Sequence, residues 1–314
     1  MRVAILTGAS SGIGRATARE LARRGYAIAL AARREHLLLD AAAEVEELGG
    51  RAIAVETDVT DEEAVETLVN RTLAELGRID VFVGNAGVYQ LGRFEDTPPD
   101  VFRRVLETNF FGIVNGARAV IPAFRRQGHG TLVLVASLDS HVGAAQAAAY
   151  TASKWAVRGF AASLRSELRG SGVHISVVSP ASIDTPLFRH AANYTGRAMK
   201  ALSPVYAPER VASAIARVAE RPRREVIVGP MGVVMAVQRT LTPALVDRLF
   251  GIQVEHDHFT GGSAPASPGN LFEPVDDGGS ASGGFGGRRH TRLRRAALVA
   301  AASGAAAATW RART

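Results

Sequence analysis

Cysteine is absent from the 314 residues, which excludes disulfides, thiolate metal centres and a thiolate nucleophile together. Absent too is any run of about 18 to 20 apolar residues, so no ordinary membrane span is expected. Met1-Arg2 precedes only Val3-Ala4-Ile5-Leu6 before Thr7-Gly8. That run is too short for the core of an export signal, and with the lack of cysteine it suits a cytoplasmic setting. Net charge is missing from most of the chain. The total is +7, and the seven arginines after Phe285, with no acid among them, account for all of it. The body therefore lacks the electrostatic footprint of a nucleic-acid binder. His256-Asp257-His258 has no further ligand set around it and reads as solvated, so no metal site is expected.

What is present is globular composition, 47% hydrophobic and 21% charged. Short β-type runs occur at Val3–Thr7, Ala27–Ala32, Ala52–Thr57, Val81–Gly84, Thr131–Ala136, His174–Ser179 and Val226–Val228. Several are nearly all apolar, as strands covered on both faces are. Stretches with helical spacing separate them, and Gly25, Gly49, Gly77 and Gly172 stand where those helices should stop. Seven strands alternating with helices predict an α/β fold, a doubly wound parallel sheet with helices on both faces. Val233, Val234, Val237, Leu241, Leu245 and Leu249 predict a C-terminal amphipathic helical extension, broken at Pro243. The expected domains are 1–254, catalytic body with extension; 255–287, a flexible linker rich in Gly, Ser and Pro; and 288–314, a basic, Ala-rich tail.

Gly8, Ser10, Ser11, Gly12, Ile13 and Gly14 follow the first strand and open the first helix. Glycine there lets backbone approach a diphosphate, and the free N–H groups of the helix start face the anion. The second strand ends not in an acid, which would take a ribose 2′-hydroxyl, but in Ala32-Arg33-Arg34. Arginine suits a 2′-phosphate, which favours NADP(H) over NAD(H), and Arg15 offers a further cation. Asp58-Val59 after the third strand and Asn85-Ala86-Gly87 after the fourth lie where open sheets bind ligands.

Tyr150 and Lys154 are four apart in a helical stretch and share a face. A phenol is a poor base at neutral pH. A neighbouring ammonium, joined by an oxidised nicotinamide, favours the phenolate and makes Tyr150 a usable acid and base. Ser137 ends the fifth strand, thirteen residues before Tyr150, and Asn109 comes from an earlier helix.

This ordered set resembles the short-chain dehydrogenase/reductase family, over Arg2 to about Val228 or seven-tenths of the chain. The resemblance implies a Rossmann-like fold, a nicotinamide cofactor and carbonyl/alcohol redox chemistry. It implies Tyr150 as proton donor and acceptor, Ser137 as holder of the substrate oxygen, and Lys154 as ligand of the nicotinamide ribose that lowers the Tyr150 pKa. Asn109 would hold a water in a relay ending at Lys154. Pro180-Ala181-Ser182-Ile183-Asp184-Thr185 resembles the family's Pro-Gly-x3-Thr loop, with Pro180, Ile183 and Thr185 beside the cofactor. Ala181 departs from the family's glycine, and Gly84 from the first asparagine of its Asn-Asn-Ala-Gly.

A lid from Pro186 to Pro204, carrying Leu187, Phe188 and Leu202, predicts a mostly apolar pocket and a lipophilic carbonyl or alcohol. The family resemblance implies a homodimer or homotetramer. The ending, Arg-rich and then Ala-rich, admits weak membrane-surface contact, a partner helix or a partly helical tail. A nucleotide-sensing protein without turnover and a membrane-surface scaffold are the competing functions.

Overall fold

The computed structural model describes residues 1–276 and 279–287. Seven strands, β1 (Arg2–Thr7), β2 (Tyr26–Ala32), β3 (Arg51–Glu56), β4 (Val81–Gly84), β5 (Gly130–Val135), β6 (Val173–Pro180) and β7 (Glu225–Val228), form one sheet. Its order is β7-β6-β5-β4-β1-β2-β3 and every pairing is parallel. The chain winds outward from β1 to β3, returns to β4 and winds the other way. The β1–β4 junction is thus the switch point, where the connecting loops part and leave a crevice.

Alternate residues of each strand feed two cores. Ala4, Leu6, Ile28, Leu30, Val81 and Val83 face helices α1 (Gly12–Arg23), α2 (Glu35–Glu47) and α7 (Pro208–Glu220). Ile5, Ala29, Phe82, Leu132 and Leu134 face α3 (Glu62–Leu76), α5 (Gly112–Gln127) and α6 (Ala148–Glu167). Burial on both faces explains why the strands read as unbroken apolar runs. Helix α4 (Pro99–Leu106) enters α5 through a π-helical turn, Glu107–Phe111, which carries Asn109. Such turns are rare and cluster at functional sites.

The C-terminal part keeps one expectation and departs from another. Helices α8 (Pro230–Leu241) and α9 (Pro243–Asp257) form, with the break at Thr242 and Pro243 opening α9. The apolar stripe of Val233, Val234, Val237, Leu241, Leu245 and Leu249 is exposed. It is Val246, Phe250 and Val254 that pack, against Leu138 and Val142.

Of residues 255–287, expected to be a flexible linker, the described ones, 255–276 and 279–287, are laid against the body. Phe259–Ser263 pairs antiparallel with Arg197–Met199. Asn193 and Ser267 exchange backbone hydrogen bonds of 2.8 and 3.0 Å. Leu271 and Ala281 are buried. Arg288 to Thr314, where membrane contact was considered, lies outside the described residues. Among the described residues no helix is long and apolar enough to cross a membrane.

Candidate active site

The glycine turn is held shut by backbone. A Cβ on Gly14 would lie 2.0 Å from the Gly8 carbonyl oxygen, so helix α1 can start this close to β1 only with glycine there. Asn85 ties β4 to β1: its N–H donates to Thr7 Oγ1 at 3.0 Å and its side-chain amide to the Thr7 carbonyl at 2.9 Å.

Arg34 lies across the turn, donating to Ser10 Oγ (3.1 Å), Ser11 Oγ (3.3 Å) and the Val275 carbonyl (2.7 Å). Arg33 donates to the carbonyls of Asn270, Leu271 and Phe272 at 2.7, 3.4 and 3.2 Å. Arg15 turns away from the cleft to Glu44 at 3.1 Å and to the Gly279 carbonyl at 2.7 Å. It is not the further cation expected. Burial works against an ionised Asp58, but the Thr60 hydrogen bonds and the Arg104 and Arg33 charges outweigh it and hold the carboxyl below its ordinary range. Arg104 reaches Asp58 at 3.0 Å.

At the other end of the same crevice, Tyr150 sits in the first turn of α6 and Lys154 one turn on. Both are buried. The Ser137 hydroxyl lines the same cavity as Tyr150 and accepts the Asp139 N–H at 3.1 Å. Lys154 Nζ donates to the Val135 carbonyl at 3.0 Å and lies 5.6 Å from the centre of the Tyr150 ring. Asn109 is fully buried behind them. Its Oδ1 accepts the Val88 N–H at 2.8 Å, and its Nδ2 donates to the Val88 carbonyl and Ser153 Oγ at 3.0 and 3.1 Å.

Burial dominates the protonation of this end. It pushes the phenol of Tyr150 well up, the Asp139 charge adds to this, and the Ser137 hydroxyl opposes it. Among the protein's own groups, burial governs the phenol, and the Lys154 ammonium is itself desolvated. Burial brings Lys154 down to about 8, with Asp139 opposing, and lifts Asp139 to about 7, with Lys154 opposing.

One cavity runs between the two ends. Of the residues singled out by sequence, Gly8, Ser10, Ser11, Gly12, Ile13, Arg33, Arg34, Asp58, Val59, Asn85, Ala86, Gly87, Ser137, Tyr150, Lys154, Pro180, Ile183 and Thr185 line it. Gly14 and Asn109 do not, and act from behind the wall. The two departures from the family pattern are absorbed sterically. The methyl of Ala181 lies against Gly229 and Gly232, where a Cβ would come within 2.9 and 3.4 Å of it. A side chain at 84 would meet Ile113, in the apolar core rather than the cleft.

Sequence reasoning missed several lining residues. Tyr89 packs edge-on to Tyr150 with ring centres 4.7 Å apart. His258, read as solvated, is buried. Its Nδ1 meets the Lys200 carbonyl, so the neutral ring's Nε2 accepts from the Tyr89 hydroxyl at 3.1 Å. Asp139, two residues beyond Ser137, was findable by position alone. Met235, Phe250 and Val254 from α8 and α9 add to an apolar wall with Phe188 and Leu202. Among the described residues no metal-ligand cluster occurs.

A crevice at the switch point of a doubly wound sheet, with a tyrosine, serine and lysine at one end, defines a dinucleotide-dependent oxidoreductase. The family model described as short chain dehydrogenase matches residues 2–194. A Bacillus subtilis (strain 168) protein called "Uncharacterized oxidoreductase YxnA" is 35% identical over 87% of this chain and 78% of its own. The "Cis-4-hydroxycyclohexanecarboxylate dehydrogenase" of Sinomonas cyclohexanicum is 36% identical over 68% of this chain and 88% of its own. A solved alcohol dehydrogenase from Thermococcus sibiricus, complexed with 5-hydroxy-NADP, matches with TM-score 0.64 and 29% identity over 73% of this chain and 96% of its own. The chain belongs to the short-chain dehydrogenase family and is an oxidoreductase of alcohol and carbonyl groups.

Proposed function

We propose that the protein interconverts a lipophilic secondary alcohol and its ketone with NADP(H) as hydride carrier. The observation that carries this reading is that Ser137, Tyr150 and Lys154, the last two one helical turn apart, line the same cavity as the glycine turn. Three buried polar atoms, Thr108 Oγ1, Ser182 Oγ and Asn270 Oδ1, belong to lining residues and have no partner among the described residues. A polar ligand that runs the length of the cleft suits them, as a dinucleotide does. Arg34 with the hydroxyls of Ser10 and Ser11 forms a cation flanked by two donors, which suits a 2′-phosphate. The solved relative with a bound NADP derivative supports the same choice.

When bound, the nicotinamide supplies or takes up the hydride. Ser137 holds the substrate oxygen. Tyr150, kept protonated by burial, gives that oxygen its proton during reduction and recovers it during oxidation. Lys154 holds the nicotinamide ribose. Its Nζ and Asn109 Oδ1 lie 3.6 and 3.2 Å from where a Gly87 Cβ would stand, so a proton relay past Gly87 toward Asn109 belongs to this reading. The apolar wall of Phe188, Leu202, Met235 and Phe250 supports a lipophilic substrate. Exposed Phe111 and Trp155, at the end of the π-helical turn and on α6, support assembly with further copies of the chain.

The test is Tyr150→Phe with a panel of ketones. Turnover should fall by about 10³-fold or more while the cofactor, followed by its fluorescence, binds within about twofold of the parent. Undiminished turnover would overturn the role.

A further inference from the structure

Residues 264–276 and 279–287 lie at the mouth of the nucleotide end and bond to the glycine turn, to the end of β2 and to α4. Ser280 gives its carbonyl to the Gly12 N–H at 3.1 Å, and Gly279 gives its own to Arg15. Three consecutive carbonyls, from Asn270 to Phe272, converge on the Arg33 guanidinium. Arg104 bridges the Leu271 carbonyl (3.1 Å) and Asp58 (3.0 Å). At the far end, Asp184 accepts from Ser282 Oγ at 3.0 Å and from the Phe285 and Gly287 N–H groups at 2.8 and 2.9 Å.

The strap crosses the cleft without filling it. Asn270, Pro274 and Val275 line the cavity together with the glycine turn and Asp58. Asn270 lines that space, and its amide oxygen is buried with no partner among the described residues. Leaving such an acceptor unpaired is unfavourable. A dinucleotide's phosphates only accept; its ribose hydroxyls and its amino and amide N–H groups donate. The orphan is an acceptor and calls for one of those donors.

We propose that this strap is a wall of the cofactor site, in which Asn270 contacts the dinucleotide directly and Arg33 is a positioning residue that clamps the strap. The inference rests on the reading of the cleft as a nicotinamide-dinucleotide site. It reassigns Arg33, expected from sequence to hold a 2′-phosphate. The solved archaeal relative aligns over nearly its whole length with about three-quarters of this chain, so a substantial part of this chain is additional to that shared fold.

The experiment measures NADPH and NADH dissociation constants by fluorescence, and NADPH release by stopped-flow chase, on the full-length chain. Arg33→Ala should weaken both cofactors by about the same factor, near tenfold, leaving their ratio within about twofold of the parent. Arg34→Ala should instead lower the preference for NADPH. Asn270→Leu should weaken both cofactors by about three- to tenfold, an ordinary loss for one hydrogen bond. Asp184→Ala, which frees the strap from outside the cavity, should speed release of both. If Arg33→Ala weakens NADPH alone, Arg33 is a phosphate ligand and the clamp is wrong. If Asn270→Leu and Asp184→Ala leave binding and release unchanged, or tighten binding, the strap is not a wall of the site. A parent protein that binds neither cofactor overturns the underlying reading instead.

Discussion

The two ends of the cleft treat their polar groups in opposite ways. At the glycine turn the cations are met by the chain itself: Arg15 by Glu44, Arg33 and Arg34 by strap carbonyls and serine hydroxyls. At the tyrosine end the Asp139 carboxyl makes no hydrogen bond among the described residues, and Lys154 has a single carbonyl. Satisfied groups set a shape. Desolvated, unsatisfied ones set protonation states away from their ordinary values. Changes at the first end should therefore appear in binding, and changes at the second in rate and pH dependence.

The sharpest way to break this contrast is Lys154→Met. If Lys154 serves both hydride geometry and the proton path, turnover should fall by about 10²-fold or more, the usual range for acid–base machinery, and cofactor binding should weaken less. A loss confined to binding would place Lys154 with the first end. A subtler probe is Asp139→Asn. The Asp139 charge helps keep Lys154 protonated. With it removed, the decline of the reduction rate as Lys154 loses its proton, centred near pH 8 in the parent, should move to lower pH. A profile that does not move would show that Lys154 protonation is not what the rate reports.

The same substitution should be visible in stability. Burial raises Asp139 to about 7, so between about pH 4 and 7 the folded chain keeps a proton that the unfolded chain gives up. The contribution is present in full below the unfolded value and is lost as pH rises through about 7. The melting temperature of Asp139→Asn should therefore gain on the parent by several degrees between pH 4 and 8. Lys154 works in the opposite direction at higher pH, since a depressed ammonium gains stability as pH rises through about 8.

The smallest effect is expected outside the cleft. Glu225 on edge strand β7 pairs with His141 at 2.8 Å and Arg158 at 2.9 Å. Burial opposes its ionisation, but those partners bring the carboxyl down to about 2. Its contribution is present above the ordinary glutamate range and lost as pH falls toward 2. Glu225→Gln should cost about 1–2 kcal/mol at pH 7 in urea unfolding, and leave cofactor preference unchanged. A change in preference there would blur the division between the ends.

The body was legible because its signals are carried by residue type. Apolar runs marked all seven strands to within a residue or two, since a strand covered on both faces admits little else. The strap was illegible because its bonds come from backbone carbonyls, which every residue possesses. Its glycines look like linker composition, yet they let it lie flat. A Cβ on Gly269 would stand 2.2 Å from the His190 carbonyl oxygen, and one on Gly283 2.2 Å from that of Thr185. The α8–α9 stripe announced helices that do form, but a 3.6-residue period reports that a stripe exists, not which side the body covers. Spacing likewise set Lys154 beside Tyr150 but said nothing of depth, and depth governs their protonation.

The bond from Gly12 to Ser280 joins positions 268 apart in sequence. A chain made from its N-terminus assembles the whole β-sheet before that partner exists. During synthesis the dinucleotide groove therefore passes through a roofless stage, complete in its strands and open above. Joining the earliest turn to one of the latest segments is a loop closure of high contact order, which places it among the last events of folding.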